Sequence, residues 1–313
     1  MDEQFCDLHN GITLCYETFG DRSDPTALLI MGLGTQMVAW HEDFCRQLAA
    51  AGFHVVRFDN RDIGRSTHLP GPPPTVRQLL LRSKRAAHYR LADMADDASR
   101  LLAELDLAPA HVIGASMGGM IAQTLAARRP ERVRSLVSIM SNTGALSNGQ
   151  PALRLYPFFL RRPTAGRDAY VAHFERLFAA IGSPGLPREP EEIRELAQIS
   201  YDRDHDPAGP GRQLAAILAS GERTAELRQI VAPTLVVHGT ADPLIRPSGG
   251  RATARAIKGA KLKTVQGMGH DLPRAVWTEL IEAIVENAAR AGGSPDRHPP
   301  LPASQKSLSG LSG

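Results

Sequence analysis

Apolar residues fall along this chain in short blocks that alternate between two spacings. Residues 3–8 and 12–19 flank His9-Asn10-Gly11, a turn signal that predicts a hairpin. Residues 27–31 form an unbroken apolar run that reads as a strand, and 53–58 read as the next strand. Between them, 38–51 carries helical periodicity and stops at Gly52. Over 91–107, Met94, Ala98, Leu101, Leu102 and Leu105 recur at helical spacing. Residues 111–115, 133–140, 234–237 and 262–265 supply four more strands, and a last helix covers roughly 274–290. Strands alternating with helices predict an α/β protein: a mostly parallel sheet of eight strands with helices on both faces.

Two regions break this rhythm. Residues 145–228 lie between two core strands and are too long for a simple crossover; Tyr170, Phe174, Leu177 and Phe178 keep helical spacing there. The expectation is a helical cap, with Leu155, Tyr156, Phe158 and Phe159 as candidate lining, inserted into a core of residues 1–144 and 229–290. Residues 291–313 are rich in Pro, Ser and Gly and are expected to be disordered.

Composition narrows the classes. In 313 residues, 42% are hydrophobic and 22% charged, which suits a soluble protein with a sizeable core. The net charge of +3 is small and spread out, so no nucleic-acid partner is expected. No apolar stretch reaches membrane-spanning length, and the first ten residues have neither a basic start nor an apolar run, so no signal peptide is expected. Three cysteines, Cys6, Cys15 and Cys45, read as small hydrophobes in a reducing compartment, and a cytoplasmic location is the default. The sequence leaves the oligomeric state open.

The chemistry gathers around HVIGASMGGM, residues 111–120. An apolar strand runs into Gly114, and helical spacing starts at Met117, so Ser116 sits on a tight strand-to-helix turn. Gly114 and Gly118 relieve the crowding of such a turn, which raises the hydroxyl above the sheet beside a helix N-terminus. Serine needs a base oriented by an acid. His298 lies in the tail, His173 and His205 in the expected cap, and no suitable acid precedes His238. His270, in a glycine-rich loop after strand 262–265, is the candidate base. Asp242, beyond strand 234–237, is the candidate acid; Asp271 reads as surface or structural. The N–H groups of Met117 and of Leu33, on the Gly32–Gly34 loop, are candidate oxyanion donors. His41 and His54 read as packing or surface residues. Asp202, Asp204, His205 and Asp206 read as a solvated loop rather than a metal site.

LLIMGLG, FDNRDIGRS, GASMGG, PTLVVHGTADP and GMGH, in this order, resemble the α/β-hydrolase fold superfamily over about residues 5–140 and 230–290. The stretch 31–67 is similar to bacterial carboxylesterases of the aclacinomycin-methylesterase type. The resemblance implies a serine esterase with Ser116 as nucleophile, Asp242 and His270 as partners, and Leu33 and Met117 as oxyanion donors. That mechanism calls for neither metal nor organic cofactor, and the candidate cap lining points to an apolar small-molecule ester as substrate. Many relatives begin the oxyanion loop with His-Gly, where this chain has Met31-Gly32. Serine at the elbow argues against the branches that use an aspartate nucleophile. Acyl transfer, perhydrolysis and carbon–carbon bond hydrolysis use the same triad, and a non-catalytic ligand receptor could share the fold.

Overall fold

Strands without charged residues need cover on both faces, and the chain arranges its helices to give it. The computed structural model describes residues 2–81, 83–155, 166–187 and 189–292. Eight strands are present: β1 (Gln4–Asp7), β2 (Thr13–Phe19), β3 (Thr26–Ile30), β4 (His54–Phe58), β5 (Ala110–Ala115), β6 (Val133–Ile139), β7 (Thr234–Gly239) and β8 (Lys261–Val265). They form one sheet in the order β1-β2-β4-β3-β5-β6-β7-β8. β2 pairs antiparallel with β1 and β4; every other pairing is parallel. All residues of β3, β4, β5 and β7 are buried, while the charged edge strand β8 is largely exposed.

Helices Leu91–Glu104 and Met117–Arg128 cover one face, where Leu101, Leu102, Ile121 and Leu125 join the core. Helices Glu42–Ala50 and Trp277–Ala289 cover the other, through Phe44, Leu48, Leu280 and Ile284. Neighbours on β5, Val112 and Ile113, enter opposite cores, as the two-residue period of a strand requires. The three cysteines are buried and unpaired, and burial pushes the Cys15 and Cys45 thiols up to about 12. Among the described residues, no helix is long and apolar enough to cross a membrane.

Three local expectations change. The helix expected over 38–51 begins at Glu42, because His41 caps it: its Nδ1 accepts the Asp43 N–H at 3.1 Å. The last helix is preceded by a 3-10 turn, Arg274–Val276. Two helices were not expected, Val76–Leu80 and Ser248–Ala256.

Between β6 and β7 the chain leaves the sheet and forms helices Arg167–Ile181, Pro190–Arg203, Gly209–Ser220 and Thr224–Leu227. The first two pack through Val171, Phe174 and Ala197. Of the expected lining, Leu155 is buried, while Tyr156, Phe158 and Phe159 lie outside the described residues. The tail expected to be disordered lies outside them from residue 293 onward.

Candidate active site

β5 ends at Ala115 and the next helix starts at Met117, so Ser116 turns the chain alone. It does so at φ 56° and ψ −119°, a conformation that a side chain other than glycine's seldom adopts. Its N–H donates to Ile139 O on β6 at 2.9 Å. The flanking glycines are required by contact. A Cβ on Gly118 would overlap the Ile30 carbonyl, and one on Gly114 would overlap the backbone of Gly118. The next helix can therefore start directly against the sheet.

The ends of β7 and β8 supply two further groups. Asp242 follows β7 and is buried; its Oδ1 accepts the N–H groups of Leu244 and Ile245, each at 2.9 Å. Its Oδ2 lies 2.7 Å from His270 Nδ1, and His270 Nε2 lies 2.9 Å from Ser116 Oγ. A carboxylate can only accept, so Nδ1 carries the proton and Nε2 presents its lone pair to the serine hydroxyl. The structure thus brings Ser116, His270 and Asp242 into one hydrogen-bonded line.

The loop after β3 passes over the serine. A Cβ on Gly32 would lie 3.1 Å from Ser116 Cβ. Among the described residues, neither the Leu33 nor the Met117 N–H donates to another protein group, so both remain free for a ligand. The Met31-Gly32 start removes no donor, because these are backbone groups.

The insertion holds the histidine loop. The His270 N–H donates to Ile181 O at 2.8 Å, and Gly269 N–H donates to Ser183 Oγ at 2.8 Å. Ser183 Oγ in turn donates to Asp271 Oδ1, so Asp271 braces the loop that carries His270. His238 is buried; its Nε2 donates to Ile245 O at 2.7 Å, and burial pulls its pKa down, so it stays neutral behind Asp242.

A cavity of about 1100 Å³ opens onto Ser116 and His270. Its walls are mostly apolar and include Trp40, Phe174, Leu177 and Phe178. Leu155 is not part of this wall. His41, His173 and His205 do line it, which places His41 closer to the site than its sequence suggested. His54 is buried, as expected of a packing residue.

The acidic run 202–206 does not converge on one point. Asp202 pairs with Arg167 through two bonds of 2.7 Å, and Asp206 pairs with Arg212 at 2.6 Å. Asp62, His68 and Asp206 offer atoms within 4.8 Å of one another. The Arg212 guanidinium already sits on both of those carboxylates.

Sequence reasoning passed over the residues that bind the insertion to the FDNRD loop. Arg203 pairs with Asp59 at 2.8 Å and Arg212 with Asp62 at 2.7 Å, all buried or nearly so. The two aspartates stood in a quoted motif; their partners carry no local signal.

Residues 25–184 match the family model of the alpha/beta hydrolase fold, and residues 216–278 match that of TAP-like protein. Rhodomycin D methylesterase of Streptomyces sp. (strain C5) is 29% identical over 302 residues, covering 90% of this chain and 96% of that protein. The rhodomycin D methylesterase of Streptomyces peucetius is 28% identical, with coverage of 90% and 96%. Among solved structures, the enol-lactonase of Burkholderia xenovorans LB400 matches with a TM-score of 0.73 at 24% identity, covering 91% of this chain and 100% of that one.

Proposed function

The chain belongs to the α/β-hydrolase fold family, and from that premise we propose that it hydrolyses a carboxylic ester through Ser116, His270 and Asp242. The observation that carries this reading is the unbroken line of hydrogen bonds from Ser116 Oγ through His270 to Asp242. Ser116 Oγ attacks the ester carbonyl while His270 Nε2 takes its proton. The oxyanion that forms accepts from the N–H groups of Leu33 and Met117, the latter at a helix N-terminus whose dipole favours negative charge. His270 then gives the proton to the departing alkoxide, leaving an acyl-serine. Water, deprotonated by the same nitrogen, releases the acid and restores the serine. Asp242 keeps the imidazole in the required tautomer and stabilises its charged form.

The 145–228 insertion acts as the cap over this site. The cavity of about 1100 Å³ and its apolar wall support a bulky, largely apolar acyl group. Kinship with rhodomycin D methylesterases supports a small leaving alcohol such as methanol.

Intact-mass labelling with a fluorophosphonate, on wild type and Ser116→Ala side by side, tests the reading. One adduct on the wild type and none on the variant is the expected result. No adduct on the folded wild type would favour a ligand receptor on the same fold. An adduct that persists on the variant would assign another nucleophile. On an ester that the wild type turns over, Ser116→Ala should lose activity by about a millionfold.

A further inference from the structure

The loop that carries Leu33 is fastened to the core at both ends. Asn60 Nδ2 donates to Met31 O at 3.0 Å, and the Met37 N–H donates to Asp59 Oδ1 at 2.7 Å. Its middle is fastened from the insertion instead. Gly34, at φ 66°, donates its N–H to Gln213 Oε1 at 2.9 Å. Gln213 belongs to helix Gly209–Ser220 and is 0% exposed. Its Nε2 donates to Arg61 O at 2.8 Å. The carboxamide has one workable orientation, because Gly34 requires an acceptor and Arg61 a donor; a flip would lose both bonds.

The helix is wedged where it can impose this contact. A Cβ on Gly209 would overlap Asp62 O, and one on Gly34 would press on Pro210 Cβ at 3.3 Å. Arg212, beside Gln213, is tied to Asp62. On the loop itself, Thr35 Oγ1 donates to Leu33 O at 3.1 Å. The peptide plane joining Leu33 to Gly34 is thus held at its oxygen by Thr35 and at its nitrogen by Gln213. Gly32, close against Ser116, limits the other side. Little freedom remains for the Leu33 N–H except its present direction.

We propose that Gln213 is a positioning residue: by holding the Gly34 N–H it aims the neighbouring Leu33 N–H at the oxyanion formed on Ser116. The proposal rests on the Ser116 reading above and adds to it that the cap builds part of the oxyanion hole. Hydrogen bonds weaken steeply once they bend, so a loosened loop loses transition-state stabilisation before it loses substrate binding.

The test compares wild type, Gln213→Met and Gln213→Asn. Met keeps the volume and removes both bonds; Asn keeps the carboxamide but is one methylene too short to span them. Each is assayed for fluorophosphonate labelling rate, and for kcat and KM on p-nitrophenyl butyrate and its thionoester. A thiocarbonyl uses oxyanion donors poorly, so the oxoester-to-thionoester ratio reads the hole itself. For Gln213→Met, oxoester kcat should fall about ten- to hundredfold, at most equal to the smallest loss for removing one oxyanion donor outright, because the N–H is misaimed rather than deleted. KM should stay within about twofold, labelling should slow, and the ratio should narrow. If Gln213→Met does not fold, Gln213→Asn carries the same expectation. A folded variant with the wild-type ratio overturns the proposal. So does an equal loss on both esters, which a merely structural role would give. A wild type that forms no adduct overturns the Ser116 reading and this proposal with it. Normal wild-type labelling with an unchanged ratio in the variants overturns this proposal alone.

Discussion

At Asp242 the two carboxylate oxygens face different partners. Oδ1 accepts from the backbone of Leu244 and Ile245, and Oδ2 faces His270 Nδ1. In Asp242→Asn the two backbone N–H groups should hold the remaining carbonyl oxygen at Oδ1, which turns the NH₂ toward His270. That group donates, so Nδ1 must accept and Nε2 must carry the proton. The ring then has no lone pair for Ser116. The expected outcome is a fall in kcat of about 10⁴ with a melting temperature close to wild type. Activity within tenfold of wild type in a folded variant would reject the role proposed for Asp242.

Elements bring these residues together, and two of the loops involved depend on the insertion. Ser183 follows helix Arg167–Ile181 and accepts the Gly269 N–H, one residue before His270. Ser183→Ala leaves that buried N–H without its acceptor, which costs about 1–3 kcal/mol. Urea unfolding should report the loss, and an unchanged midpoint would show that the hydroxyl holds nothing. The meeting of Ser116, Asp242 and His270 was legible because each follows a strand of a parallel sheet, and Gly114 and Gly118 announce the steric crowding of the turn. Helix Ser248–Ala256 was hidden by Gly249 and Gly250, which lower helix propensity. Yet a Cβ on Gly249 would press on Asn142 and Ile245, and one on Gly250 would overlap His238. Gln213, Arg203 and Arg212 were not legible for a different reason. Their partners Gly34, Asp59 and Asp62 lie well over a hundred positions away in sequence. No periodicity encodes a polar contact across that separation.

For the whole molecule, stability should depend on pH through a histidine outside the site. His111 on β5 is buried, with its Nδ1 2.8 Å from Ser135 Oγ. Burial, with a smaller contribution from the Arg134 cation, pulls its pKa down to about 4. Between about pH 6.5 and pH 4 the unfolded chain holds a proton on this ring that the folded chain does not. Its contribution is therefore fully present above that window and is lost as pH falls through it. In His111→Gln, the drop in unfolding free energy from pH 7 to pH 5 should be smaller than in wild type by about 2 kcal/mol. Equal drops in both proteins would reject this origin. The insertion leaves the sheet after β6 and returns at β7, and these two strands are direct neighbours, with Leu136 opposite Thr234. Topologically it is a removable cassette, and exchanging it for that of another hydrolase looks like a direct route to a new substrate range. The anchors at Ile181, Ser183 and Gln213 set the terms of such a graft. A donor segment that shapes a pocket but lacks these three contacts should yield a chimera that binds its new ester well and turns it over slowly.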